Sequence, residues 1–175
     1  MDNVYRMDNR TRDQFIQDIK QGNEREARAI KLFKDYLYWL HGYIGEIKEN
    51  GVDMSGEFIE DATKIHTGAD YRVGANELPL EVKTSVGHTL EIYLKVEQVN
   101  SYIKQGSALL FVNGIERPSP AFTFFTSQDL EKVVGNSEEV TPPNGINGGK
   151  KSYKLNAMEL TWLSFDGKER LYEQY

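Results

Sequence analysis

Three charged side chains, those of Asp70, Glu81 and Lys83, stand near one another in the middle of this 175-residue chain. Two carboxylates held side by side repel each other, and a bound divalent cation reverses that effect. Mg²⁺ binds one or two carboxylates and fills its other positions with waters and substrate phosphates. A lysine beside such a pair can orient an attacking water or neutralise charge on a phosphate. These residue types therefore indicate phosphoryl chemistry, with Mg²⁺ as the cofactor and Mn²⁺ as a substitute.

A β-hairpin is the element that would bring these side chains together. Apolar and polar residues alternate on both sides of Gly74–Glu77, which predicts two strands joined by a four-residue loop. If Val73 pairs with Leu78, Asp70 lies opposite Glu81 with β-carbons about 5 Å apart. The same alternation places the lysine on the face of the two acids. The alternative interpretation is an amphipathic hairpin whose charged face is simply exposed to water.

The rest of the chain predicts helices first and then alternating strands and helices. The first apolar pattern ends at Gly22, and Asn23 can cap a second helix. Two separate helices are therefore expected in the first 40 residues. The predicted segments are helices at 11–20, 24–40 and near 58–65, a strand at 89–94, a helix at 95–106, strands at 107–113 and 121–126, a helix from 127, a mobile loop at 135–151, and a final strand and helix. Trp39 and Trp162 are expected to pack in the core or between helices.

This order of elements predicts an α/β fold, a sandwich around a mixed sheet, in one domain spanning 1–175 with an N-terminal helical segment at 1–66. The absence of cysteine excludes disulfide scaffolds, iron–sulfur clusters and thiol catalysis. No long apolar run and no secretory signal are present, which favours a soluble, cytoplasmic protein. The net charge is −6. Because proteins that coat nucleic acid are usually basic, DNA binding would have to depend on a local site.

Asp70 followed by Glu81-Val82-Lys83 resembles the signature of the PD-(D/E)XK nucleases, in which an aspartate precedes E-x-K on the next strand. The resemblance implies a restriction-endonuclease-like α/β/α sandwich around a mixed central sheet. It also implies that Asp70, Glu81 and the backbone carbonyl of Val82 hold the metal, and that Lys83 orients the attacking water. Ala69 departs from the family pattern, which has a proline before the aspartate.

Two further motifs extend the resemblance over about 22–126, the expected catalytic core. Gln98 and Tyr102 match the Q-x-x-x-Y of RecB-type and phage lambda exonuclease-like members, in which they would position the lysine or the phosphate. Gly22 and Glu26 resemble a G-x-x-x-E motif whose glutamate helps to hold the metal. Both motifs have an alternative interpretation. Gln98 and Tyr102 share a helix face, as a buried hydrogen-bonded pair would, and Glu26 stands where a capping-box glutamate would stand.

The chain is therefore predicted to be a Mg²⁺-dependent nuclease that hydrolyses phosphodiester bonds in DNA, with a phage or mobile element as the expected source. The expected partners are DNA and, optionally, further copies of the chain. Two alternatives stay open. One is a catalytically silent protein of the same fold that binds DNA or serves as a structural subunit. The other is an acidic protein-interaction module, which the net charge of −6 favours.

Overall fold

A mixed β-sheet flanked by helices forms the centre of the computed structural model, which describes residues 11–42, 45–50, 69–166 and 169–170. The helices are α1 (Arg12–His41), α2 (Val96–Gln105) and α3 (Ser127–Gly135). The strands are β1 (Ile47–Glu49), β2 (Tyr71–Val73), β3 (Leu78–Thr84), β4 (Glu91–Lys95), β5 (Ala108–Asn113), β6 (Ala121–Phe125), β7 (Glu138–Val140), β8 (Ser152–Asn156), β9 (Trp162–Ser164) and β10 (Glu169–Arg170). The helix predicted near 58–65 lies outside the described residues.

Seven strands form the central sheet in the order β1-β2-β3-β5-β6-β9-β10. Strands β3 and β5 run parallel, and the other described neighbours in this sheet are antiparallel. A parallel pair needs a long crossover connection, and here the connection contains β4 and α2. The sheet is therefore mixed, as the sequence predicts, and the strand that carries Glu81 and Lys83 is a member of the parallel pair.

The side chains of β5 show that the sheet is covered on both faces, because all of its residues are buried. Ala108, Leu110 and Val112 belong to a core that they share with the apolar side of α1. Leu109 and Phe111 belong to a second core with residues of α2 and α3. Since successive side chains of a strand point to opposite faces, α1 covers one face of the sheet and α2 and α3 cover the other. The predicted α/β class with a mixed central sheet is confirmed.

Helix α1 is continuous over 30 residues, so the predicted break at Gly22 and the predicted cap at Asn23 are wrong. The helix begins after Thr11, whose side chain accepts a hydrogen bond from the backbone N–H of Gln14 in a capping box. Glycine inside a helix costs only about 1 kcal/mol relative to alanine. Burial of the apolar side of α1 against the sheet outweighs that cost. Neither α1 nor any other described helix is long and apolar enough to cross a membrane.

Three local predictions are confirmed. Val73 pairs with Leu78 across the hairpin. Helix α2 ends at Gly106, which adopts a left-handed φ of 68° that glycine tolerates without strain. Helix α3 begins after Thr126, which forms a capping box with Asp129. Each of these features depends on a few neighbouring residues, and for this reason the sequence is sufficient to predict it.

The segment predicted as a mobile loop, 135–151, includes a short strand and hydrogen-bonded turns. It contains β7 and a series of 3-10 turns at Pro143–Gly149. The side-chain amide of Asn147 fixes these turns by donating to the Tyr93 carbonyl and to Ser152 Oγ, each at 2.9 Å. Strand β7 joins β8 and β4 in a second sheet of order β4-β8-β7. Side-chain hydrogen bonds and strand pairing therefore hold parts of a segment that is rich in glycine and proline, and its predicted mobility stays a prediction.

The end of the chain also differs from the prediction. A single 3-10 turn, Ala157–Glu159, stands where a helix is predicted, although the side chain of Asn156 does cap it. Strands β9 and β10 follow. Trp162 is 1% exposed and its indole N–H donates to the Ala157 carbonyl, in agreement with its predicted place in the core. Trp39 is 64% exposed in the described structure, so its predicted packing is wrong.

Candidate active site

The candidate site forms where β2 ends and β3 continues. The ladder between these strands includes Tyr71 opposite Leu80, so Asp70 and Glu81 follow at the next position in the predicted register. Asp70 lies in a bend just before β2. Its carboxylate and the Glu81 carboxyl share a side-chain hydrogen bond. The two acids are therefore adjacent, as the pairing at the start of the hairpin predicts.

Burial changes the charge of Glu81, whose side chain is only 8% exposed. Loss of hydration, the largest effect, and the hydrogen bond with Asp70 both raise the pKa of Glu81. The charges of Asp70 and Glu26 raise it further, against the opposing charge of Lys83, to about 9. In the absence of metal, burial and the adjacent carboxyl therefore favour a proton held between Glu81 and Asp70 at neutral pH.

One oxygen of the Glu81 carboxyl lacks a hydrogen-bond partner. Glu81 Oε2 is buried, and Lys83 Nζ lies 3.7 Å away, too far for a hydrogen bond. A buried polar atom without a partner is costly, and in a native protein it calls for an explanation such as a bound ion or an ordered water. A free carboxyl oxygen beside a second carboxylate is the kind of ligand that Mg²⁺ prefers. The donor set therefore fits a divalent cation.

Lys83 lies two residues after Glu81 on the same face of β3. Its side chain is 31% exposed, and its ammonium donates a hydrogen bond to the hydroxyl of Tyr102 on α2. Burial acts to lower the pKa of Lys83, but the tyrosine and the surrounding acids outweigh burial and keep that pKa above its ordinary value. Lys83 is thus a cation at neutral pH. In this state it can orient a water or neutralise a phosphate, but it cannot accept a proton.

Glu26 approaches the site from α1. It is half-buried, and it lies well inside the helix, whose capping box is formed by Thr11 and Gln14. The capping interpretation of Glu26 is therefore wrong. Burial is the main cause that raises the pKa of Glu26 to about 7, with Lys83 lowering it and Asp70 raising it. The structure thus places Glu26 close enough to interact electrostatically with Lys83 and with Asp70.

Helix α2 contributes Tyr102 but does not bring Gln98 into direct contact. Tyr102 is 6% exposed, and burial is the main reason that its pKa rises to about 12. Its hydroxyl therefore stays neutral and holds the Lys83 ammonium. Gln98 lies one turn earlier on the same helix face and is half-buried. Among the described residues it makes no hydrogen bond with the cluster, so its predicted role stays a prediction.

No group of three or more Asp, Glu or His side chains forms a ready-made metal cage in the part of the chain that the structure describes. A closed cage is what Ca²⁺ commonly uses, whereas Mg²⁺ keeps several waters and takes one or two carboxylates. Asp70 and Glu81 supply those two. The side chain of Val82 is fully buried in the core against α1, so only its backbone is available to the site.

Tyr71 also lies beside the site, although the alternation of the hairpin predicts only a core residue there. It is 3% exposed. Burial is the main cause that raises the pKa of its hydroxyl, and the charges of Glu26 and Asp70 add to it. The sequence signal that could have identified Tyr71 is its position directly after the candidate aspartate Asp70, on the core face of the strand.

The site therefore brings together five predicted residues from four segments of the chain. They are Glu26, Asp70, Glu81, Lys83 and Tyr102. The resemblance to the PD-(D/E)XK signature depends on these residues and on their order. No protein-family model matches the chain, and no curated protein or solved structure is significantly similar to it.

Proposed function

We propose that this protein is a Mg²⁺-dependent nuclease of the restriction-endonuclease-like fold that hydrolyses phosphodiester bonds in DNA. The observation that carries the proposal is the buried, unpartnered Oε2 of Glu81 in a cluster that also contains Asp70 and Lys83. A structural ion pair would be expected to satisfy that oxygen. Two adjacent acids that must share a proton are stable as a charged pair only when a cation replaces the proton.

Asp70 and Glu81 would hold the metal, with the Val82 carbonyl and Glu26 completing its surroundings. When bound, Mg²⁺ lowers the pKa of a coordinated water and stabilises negative charge on the scissile phosphate. Glu81 must release its proton before it can serve as a ligand, so metal binding is favoured at higher pH. Lys83 orients the water and neutralises phosphate charge, and Tyr102 holds the ammonium in position.

Incubation of the protein with linear and circular DNA, and with RNA, tests this proposal directly. We expect DNA to be degraded with Mg²⁺ or Mn²⁺ and to survive in EDTA. The matched control is Glu81→Gln, which keeps the shape of the side chain but cannot ionise to serve as a metal ligand. Cleavage of no DNA form with any of several divalent metals would contradict the proposal.

Thermal unfolding with increasing Mg²⁺ separates the two alternatives. A ligand that binds only the folded state raises its stability as the ligand concentration passes the dissociation constant. Stabilisation by Mg²⁺ without cleavage would favour a catalytically silent protein of the same fold. If Mg²⁺ neither stabilises the protein nor supports DNA cleavage, a protein-interaction module would be favoured. In that case the acidic side chains would not form a metal site.

A further inference from the structure

Two loops extend the sheet directly beyond the candidate site. The segment 85–90 follows β3, and the turn 114–117 follows β5. Their backbones are paired, with Ile115 N–H donating to the Ser85 carbonyl at 2.9 Å and Glu116 N–H donating to the Val86 carbonyl at 3.3 Å. Because Ser85 stands two residues after Lys83 in the chain, the two loops form a surface next to the lysine.

A fully buried asparagine holds this surface in place. Asn113, at the end of β5, is 0% exposed. Its Oδ1 accepts hydrogen bonds from Ser85 Oγ at 2.7 Å and from the Thr89 N–H at 2.9 Å, and its Nδ2 donates to the Thr89 carbonyl at 2.9 Å. The segment 85–90 is therefore fixed at both ends before any partner binds, which reduces the entropic cost of binding.

The two arginines near these loops differ in their partners. Arg25 of α1 forms an ion pair with Glu116, with Nε and Oε1 2.7 Å apart. Arg117 is exposed and forms no ion pair with a described residue. Its guanidinium lies against Gly87, where a β-carbon would stand 3.4 Å from Nη2. One cation of the surface is thus neutralised within the protein and the other is available to a ligand.

The same surface presents apolar side chains beside this free cation. Val86 is 45% exposed and Leu90 is 49% exposed. An arginine suits a phosphate group, and exposed aliphatic side chains suit the sugar and base edges of a nucleic acid. A net charge of −6 requires that any such contact be local.

We propose that the segments 85–90 and 114–117 bind the substrate backbone beside the scissile bond, with Arg117 contacting a phosphate and Val86 and Leu90 contacting sugar or base. This inference rests on the proposed function, because it takes the ligand to be the nuclease substrate. Arg117 acts in binding and takes no part in the reaction itself.

Salt-dependent binding tests this proposal. The probe is a duplex oligonucleotide, and the background is Glu81→Gln, which leaves the DNA intact. Arg117→Ala should lower the slope of log affinity against log salt by about 0.9, the value for one phosphate contact. It should also weaken binding about tenfold at low salt. Arg117→Lys should restore most of the slope, because it keeps the charge.

The matched control is Arg28→Ala, since Arg28 is exposed on α1 and lies two residues from Glu26, about 200° around the helix. Its slope should equal that of the parent. Equal slopes for Arg117→Ala and Arg28→Ala would overturn the proposal. In the Mg²⁺-loaded parent, Arg117→Ala should raise KM about tenfold with kcat within about twofold. Failure of the proposed function would show as absence of cleavage by the parent, which is a different result from an unchanged slope.

Discussion

Two lysine–glutamate pairs in this protein have opposite properties. Lys154 of β8 and Glu91 of β4 form a diagonal ion pair across the ladder, with Nζ and Oε1 2.6 Å apart and side chains 37% and 51% exposed. The Tyr93 hydroxyl also donates to Glu91, at 2.6 Å. The hydrogen bond from Lys154 is the main cause that lowers the pKa of Glu91. Glu91 is therefore an ordinary surface carboxylate that stays ionised.

Lys83 and Glu81 lie on one strand, with Nζ and Oε2 3.7 Å apart and side chains 31% and 8% exposed. Here the pKa of Glu81 rises to about 9 although a cation is close, because burial and the neighbouring acids outweigh the lysine. The comparison shows that distance to a cation does not determine the charge of a glutamate in this fold. Burial and a second carboxylate do, and that combination is frequent at functional sites.

The largest effect, and the largest difference between the two pairs, is expected from removal of Glu81. Glu81→Ala should lower DNA cleavage about 10³-fold or more, because charge stabilisation by a metal is worth several kcal/mol. It should also abolish Mg²⁺ binding in a calorimetric titration. Glu91→Ala should change neither. Normal metal binding by Glu81→Ala would show that Glu81 is not a ligand, and equal losses in both variants would remove the distinction between the pairs.

The two lysines provide the next comparison. Lys83→Ala should lower kcat about 10²-fold, the usual effect of losing a group that stabilises transition-state charge. It should leave Mg²⁺ affinity largely intact, because a protonated ammonium is not a metal ligand. Lys154→Ala should retain full activity. If Lys83→Ala binds Mg²⁺ as poorly as Glu81→Ala, the lysine organises the carboxylates instead of acting on the substrate.

The site was predictable from the sequence to the extent that it depends on strand alternation. The charged face of Asp70, Glu81 and Lys83 follows from the period of two and from the register at Val73. The raised pKa of Glu81 is different, because it depends on burial in the folded sheet and on the charge of Glu26, which is far away in the chain. The protonation of Glu81 therefore becomes visible only in the three-dimensional structure.

The fold shows the same division. The C-terminus of α2 at Gly106 and the N-terminus of α3 at Thr126 depend on local caps, and the sequence predicts both. The continuity of α1 through Gly22 depends on packing against the sheet, which a local glycine signal does not report. The second sheet joins β4 to β8, and such pairing between distant segments is not encoded in the period of either strand. For this reason the strand β7 within 135–151 is not evident from the sequence.

The pH dependence of stability gives a smaller but specific effect. The folded-state pKa of Glu81 is about 9 and that of Glu26 is about 7, both above the ordinary 4.5. The folded protein therefore keeps protons that the unfolded chain releases, so the free energy of unfolding falls as pH rises from about 4.5 to 9. In EDTA we expect Tm to fall as the pH rises through this range.

The controls for this pH series are Glu81→Gln and Mg²⁺. Glu81→Gln should flatten the pH dependence between pH 8 and 9, where Glu26 is already largely ionised. Mg²⁺ should stabilise the parent more at pH 8.5 than at pH 6, because it replaces the shared proton. Parallel melting curves for the parent and Glu81→Gln across this range would show that Glu81 is ionised without metal and that the two glutamate pairs do not differ.

The smallest effect is expected from Asp70→Asn in EDTA. Asparagine keeps nearly the same shape, removes one of the two adjacent charges and can still hydrogen-bond to Glu81. At pH 6 the shared proton already relieves the repulsion between Asp70 and Glu81, so the gain in stability should be slight. At pH 9, where about half of the Glu81 side chains are ionised, the gain should approach about 1 kcal/mol, or roughly 2–4 °C in Tm. With Mg²⁺ the order should reverse, since the parent alone retains both metal-binding acids. A Tm for Asp70→Asn below that of the parent at pH 9 in EDTA would mean that Asp70 stabilises the fold as an ion-pair or capping residue. Repulsion between Asp70 and Glu81 would then not destabilise the metal-free protein.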